Sequence, residues 1–210
     1  YTDGTRNSFL GYRAGFYSSG NYNTYLGFQA GFQDYYSNSG SYNAFVGDSS
    51  GYYNTTGDRG AFLGYYAGQH NTSGDDNTFL GYFAGVGNTS GYANTIIGNS
   101  AGYTNQTGSN NIFLGYQAGY NETGSNKLYI ENSNSASPLI YGEFNNDIVT
   151  INGKLGVGTS TPDYPMELET TGENAAFVTT RTDGAKNFMS PTTSYAQFGA
   201  ASNHPVRIMV

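Results

Sequence analysis

The residues able to do acid–base or metal chemistry are few and fall into no catalytic pattern. The two histidines, His70 in a turn connector and His204 beside Pro205, stand outside any HExxH, nucleophile-elbow or phosphate-loop sequence. Both read as surface histidines. Asp58, Asp75 and Asp76 lie in connectors where calcium binds in some β-rolls, but the glycine-and-aspartate nonapeptide of such rolls is missing, so they read as turn formers. A glycosidase needs two acids about 5–10 Å apart in a groove. Asp75 with Asp76 and Glu167 with Glu169 are the pairs open to that role, and no acid recurs in register inside the motif. We therefore assign no catalytic residue, no metal ligand and no cofactor, and expect a protein that is not an enzyme.

Two further sets of residues invite a functional reading. Asn54, Asn71, Asn88, Asn105 and Asn121 each head an Asn-x-Ser/Thr sequon, yet their regular spacing fits turn preference better than glycan attachment. Tyr17, Tyr35, Tyr36, Tyr52, Tyr53, Tyr103 and Tyr120 fall at the turns, where an apolar ring with a hydroxyl tip suits sugars and protein surfaces. These seven are the candidate receptor-binding residues. Ring ladders that only pack are the competing explanation.

The composition narrows the classes of function. Of 210 residues, 31 are Gly and 11% are charged, a glycine content about twice the usual one and a charged fraction less than half of it. Disorder is excluded by the 16% of aromatic residues, which must be buried somewhere. Without cysteine there is no disulfide scaffold and no thiolate site. A net charge of −7 with eight scattered Lys and Arg offers nothing to a phosphate backbone, so nucleic acid is not expected as a partner. No apolar run is long enough for a membrane helix, so membrane insertion is not expected either. The chain opens inside a repeat and ends on VRIMV, and it reads as a piece of a longer fibre.

That repeat dictates the architecture. A nine-residue pattern recurs seven times, at Asn7, Asn23, Asn43, Gly60, Asn77, Asn94 and Asn111, in forms such as NSFLGYRAG, NTFLGYFAG and NIFLGYQAG. An eighth, decayed copy begins at Ser125. A period near 17 is too short for a helix pair, and glycine every few residues opposes helix. Each repeat is read as one coil of a β-solenoid, a short strand followed by Asn/Gly turns. Alternation along the strand sends neighbouring side chains to opposite faces. A narrow coil holding only small residues would take the aliphatic member with Ala14, Ala30, Ala67, Ala84, Ala101 and Ala118. The ring column Phe9, Tyr25, Phe45, Phe62, Phe79, Ile96 and Phe113 is then expected to pack between chains. The opposite assignment would turn Leu10, Leu26, Val46, Leu63, Leu80, Ile97 and Leu114 toward the partners.

The NTFLGYxAG units joined by Asn/Thr/Gly turns resemble the head repeats of trimeric autotransporter adhesins and their longer variants in phage tail fibres and bacterial surface proteins. The resemblance covers Asn7 to about Ile130. It implies a left-handed parallel β-roll and a homotrimer, although the unit of 16 to 20 residues is longer than the adhesin one.

Beyond Ile130 the repeat stops. We divide the chain into the β-roll at 1–130, a polar linker at 131–138 and a β-rich shaft at 139–210, with Asn145-Asn146 and Asn152-Gly153 as hairpin-type turns. GKLGVGTSTP followed by MELETTG resembles a segment common in tail-fibre shafts. The expected function is a structural and adhesive segment of an extracellular or virion fibre that binds a host-surface glycan or protein. The alternatives are a polysaccharide-degrading tail spike, an end-to-end filament and an ice-binding solenoid. The last ranks lowest, because Thr24, Thr78 and Thr95 are interrupted by Ser8, Ala44, Ala61 and Ile112.

Overall fold

Glycine and asparagine at fixed intervals allow only short strands, and short strands are what form. In the computed structural model, residues 4–34 and 37–169 are described in full, with three later strands described by their backbone. Seven three-residue strands stack in parallel: β1 (Ser8–Leu10), β2 (Thr24–Leu26), β3 (Ala44–Val46), β4 (Ala61–Leu63), β5 (Thr78–Leu80), β6 (Thr95–Ile97) and β7 (Ile112–Leu114). Every motif position pairs with the same position one coil on, as in Phe45 with Phe62 and Phe62 with Phe79. The body is a β-solenoid of about 17-residue coils, and no helix occurs among the described residues.

Hydrogen bonds tie coil to coil on the turn sides as well as on the strand side. The amide of Gly68 donates to Ala84 O and that of Tyr66 to Asp48 O, and both patterns repeat along the stack. The 20-residue spacing of the second coil is absorbed before Asn38, which still occupies the connector position that Asn54 and Asn71 occupy in later coils.

The interior reverses the expected assignment of the two faces. Phe9 is half-buried at the first coil, and Tyr25, Phe45, Phe62, Phe79, Ile96 and Phe113 are buried within the single chain, so this column is the core and not a contact between chains. Phe45, Phe62 and Phe79 stack with centroids 4.6 and 4.7 Å apart. The expectation failed because the coil is wide enough for a ring when the wall facing it is glycine and alanine. Gly68 has φ 57° and would place a Cβ 2.6 Å from the Phe62 ring, which only glycine avoids. The alanines Ala30, Ala67, Ala84, Ala101 and Ala118 are buried as expected.

Two asparagine ladders line the remaining interior. Each motif asparagine donates through Nδ2 to a glycine carbonyl of the next coil and accepts through Oδ1 from that coil's backbone amide. Asn43 does so with Gly57 O at 2.8 Å and the Gly60 amide at 2.7 Å. The motif asparagines are thus satisfied by the repeat itself, whereas Ser18 Oγ and the connector-ladder oxygens Asn88 Oδ1 and Asn105 Oδ1 are buried without a hydrogen-bond partner among the described residues.

The sheet does not end with the repeat. β8 (Lys127–Ile130), the decayed copy, pairs in parallel with β7, and β9 (Ile140–Glu143) and β10 (Ile148–Ile151) continue the same sheet antiparallel. The compact unit runs to Asn152, so residues 131–138 form a loop within it and the boundary lies later than the sequence suggested. Asn145-Asn146 lies in the β9–β10 turn as expected. Asn152-Gly153 instead joins strands that do not pair with each other.

The second unit, Gly153–Val210, holds the parallel pair β11 (Leu155–Val157) and β12 (Met166–Leu168), and an antiparallel sheet of β13 (Phe177–Thr180), β14 (Lys186–Pro191) and β15 (Ala196–Ala200). His204 and the VRIMV end lie outside the described residues.

Candidate interaction surfaces

The outward side of the solenoid strands is the most regular surface of the molecule. Each strand reads out–in–out, so the residue after the buried ring points to solvent. Registered pairing joins Leu10, Leu26, Val46, Leu63, Leu80, Ile97 and Leu114 into one column, and β8–β10 extend it with Ile130, Ile140 and Ile151. All ten members are aliphatic. Leu10 is 70% exposed and Leu63 is 49% exposed. The other outward column runs Ser8, Thr24, Ala44, Ala61, Thr78, Thr95, Ile112, Leu128, Gly142 and Val149, and it carries no charge. At about 4.8 Å per strand the aliphatic column is roughly 43 Å long. Sequence reasoning saw these residues but placed them inside.

The five described candidate receptor tyrosines form two groups in the turns after the second motif glycine. Tyr17 is exposed, with its ring edge-on to Phe16. Tyr52 donates from its hydroxyl to Asp34 at 3.0 Å, and burial together with that carboxylate pushes its pKa up to about 12. Tyr53 packs edge-on against Tyr52 and stacks on His70. Tyr103 and Tyr120 stack on each other near the exit of the solenoid. Tyr35 and Tyr36 lie outside the described residues. The five described members are therefore not gathered into one site.

The sequons divide sharply. Asn54, Asn71, Asn88 and Asn105 are fully buried rungs of the second ladder, whereas Asn121 is exposed. Asn71 donates to Gly74 O at 2.9 Å and to Asn54 Oδ1 at 3.0 Å, which leaves no amide for a sugar in the folded coil.

Of the acids considered for glycoside cleavage, Asp75, Asp76 and Glu167 are engaged in contacts of their own. Asp75 Oδ1 accepts the Asp58 amide at 2.8 Å, and Asp76 pairs with Arg59 at 2.5 Å. Hydrogen bonding to Arg59 lowers the Asp76 pKa, opposite to the shift a general acid needs. Glu167 accepts the Asp163 amide at 2.5 Å. Among the described residues no group of three or more His, Asp or Glu is placed to hold a metal ion.

At the exit the ring column turns from stacked to perpendicular, with Phe113 edge-on to Tyr129 and Tyr129 edge-on to Tyr141. Lys127 bridges Glu143 at 2.8 Å and Tyr141 at 3.0 Å beside them, fastening β9 to β8. Hydrogen bonds from Lys127, Tyr141 and Asn146 hold the Glu143 carboxyl down to about 2.

No family model, no curated protein and no solved structure matches the chain. Its function is read from geometry and residue pattern.

Proposed function

We propose that this chain is a structural and adhesive segment of an extracellular or virion fibre, assembled as a homotrimer through the outward face of its sheet and carrying no catalysis. The ten-member aliphatic column supports this reading. An uncharged, flat, half-exposed stripe of Leu, Ile and Val exceeds the apolar patch expected of a soluble monomer, and its even pitch lets an identical chain lie alongside it over its whole length. The number three comes from the resemblance to adhesin head repeats. Complete burial of a Leu, Ile or Val is worth roughly 1.5–3 kcal/mol, and covering the exposed part of ten such side chains on each chain offsets the loss of rotational and translational freedom on association.

Size-exclusion chromatography with light scattering on the purified chain tests the assembly, and a trimer mass is expected. A stable, folded monomer at micromolar concentration overturns it. A second reading, end-to-end filaments, draws on β10, whose four residues are all exposed and whose outer edge pairs with no strand of the same sheet. Electron microscopy of concentrated protein separates the two, since a trimer gives rods of uniform length and a filament gives lengths that grow with concentration.

A further inference from the structure

The repeating contacts run out at the eighth coil, and a cavity opens there. The connector ladder of Asn54, Asn71, Asn88 and Asn105 is continued at that position by Glu122. Its carboxylate is fixed from three sides: Oε1 accepts the Thr123 and Gly124 amides at 3.0 and 2.7 Å, and Oε2 accepts the Tyr129 hydroxyl at 2.8 Å. Both lone pairs of Oε1 are thereby used, and one on Oε2 remains for a further donor. The turn aromatics stop at the same level. Tyr120 stacks on Tyr103 with centroids 4.8 Å apart and planes 7° from parallel, and among the described residues no ring stacks on its other face. Tyr120, Asn121, Glu122, Tyr129, Asn134 and Ser135 line a cavity of about 100 Å³. The amides of Asn121 and Asn134 belong to exposed residues.

We propose that this cavity binds the terminal residue of a neutral glycan, a hexose or N-acetylhexosamine. The inference rests on the adhesive reading above and names its ligand and its place. The last ring of a stack offers a face to the C–H side of a pyranose, two amides can both donate to and accept from neighbouring hydroxyls, and a pre-oriented carboxylate accepts a further hydroxyl proton. Glu122 and the net charge of −7 disfavour acidic sugars. The cavity is smaller than the roughly 300–1,000 Å³ of sites that engulf a drug-sized ligand. It therefore takes one sugar ring by its edge and leaves the rest of the glycan outside. The site lies in the turns and not on the outward sheet face, so assembly through that face leaves it open.

Saturation-transfer NMR on the full 210-residue chain tests this with the methyl glycosides of glucose, galactose, mannose, N-acetylglucosamine and N-acetylgalactosamine, and with methyl glucuronide as the acidic control. At least one neutral sugar is expected to bind and the glucuronide is not. Tyr120→Ala should weaken binding about tenfold and Asn134→Ala several-fold, while Tyr120→Phe keeps the ring face and the affinity. Light scattering should show the same oligomer throughout. Asn134→Ala, an exposed substitution, keeps the test valid if Tyr120→Ala disturbs the fold. Neutral sugars that bind equally to wild type, Tyr120→Ala and Asn134→Ala overturn this pocket while leaving an adhesive function elsewhere on the fibre. Binding of the glucuronide as tight as that of the neutral sugars overturns the ligand class. Failure of all five neutral sugars overturns the pocket, and retention of the chain on intact host surfaces then decides the adhesive reading separately.

Discussion

The inward and outward faces of the solenoid strands carry apolar side chains of similar size, one residue apart, yet they have different physical tasks. Inside, rings stack on rings against glycine and alanine, and Phe62 keeps 1% of its surface exposed. Outside, Leu63 meets solvent on the same strand. The fold of one chain therefore depends on the first column, and the association proposed above would depend on the second. A hydrophobic pattern alone does not distinguish these tasks. What lies opposite each column does.

The sharpest way to break the comparison is to empty the inner face. Phe62→Ala and Phe79→Ala should each cost about 3–5 kcal/mol, less than additively when combined because the rings touch. Far-UV circular dichroism against denaturant should show loss of β structure without a folded monomeric stage. The outer face should respond in the opposite way. Leu63→Asp with Leu80→Asp should shift the light-scattering mass from trimer to monomer, while the β signal survives and the stability of the isolated chain stays within about 0.5 kcal/mol per site. Should these two outcomes be exchanged, the roles of the faces are exchanged with them.

Smaller effects test the ladders that hold the inner face. Asn71→Ala leaves the Gly74 carbonyl without its buried donor and removes one of the two acceptors of the Asn88 side-chain amide, and should cost about 1–3 kcal/mol, whereas Asn121→Ala in the same sequon series should be near neutral. Conversely, Gly60 stands where every other coil has a motif asparagine. Gly60→Asn restores the missing rung and should gain about 0.5–1.5 kcal/mol, less whatever is needed to relax the 3.0–3.2 Å contacts of its new Cβ.

The smallest expected effect is on pH dependence at the exit. The Glu143 carboxyl is depressed to about 2, so it stabilises the folded state above its ordinary value near 4.5. That contribution is lost as pH falls from 4.5 toward 2. Wild type should show a falling melting temperature over that window, and Lys127→Met should flatten the dependence.

The coil length, the strand positions and the two-faced strands were legible because a repeat states its own register: Asn7 to Asn111 mark each turn without help from the structure. The side on which each column lies was not legible from alternation, which fixes only that Phe62 and Leu63 point apart. A signal was nevertheless available in Gly15, Gly31, Gly51, Gly68, Gly85, Gly102 and Gly119, one per coil. A residue with no Cβ recurring across from a ring marks the room that ring needs. The exit was harder to read, because Ser125 to Ile130 keeps the strand while losing the turn glycines, and the return of β9 and β10 to the same sheet depends on pairing that no local pattern encodes. The pocket at Glu122 was likewise hidden, since Asn134 and Ser135 reach it only through that return.

The partners in the inter-coil hydrogen bonds are separated by only about one repeat, as with Gly68 and Ala84 or Thr72 and Thr89. Almost every contact that stabilises a coil is complete once the following coil has been made. Loop-closure entropy is therefore met in small, equal instalments, and the folding rate should depend little on how many coils the chain contains. During synthesis each turn can settle onto the one before it as it emerges, so the long apolar column is laid out in register one residue per coil.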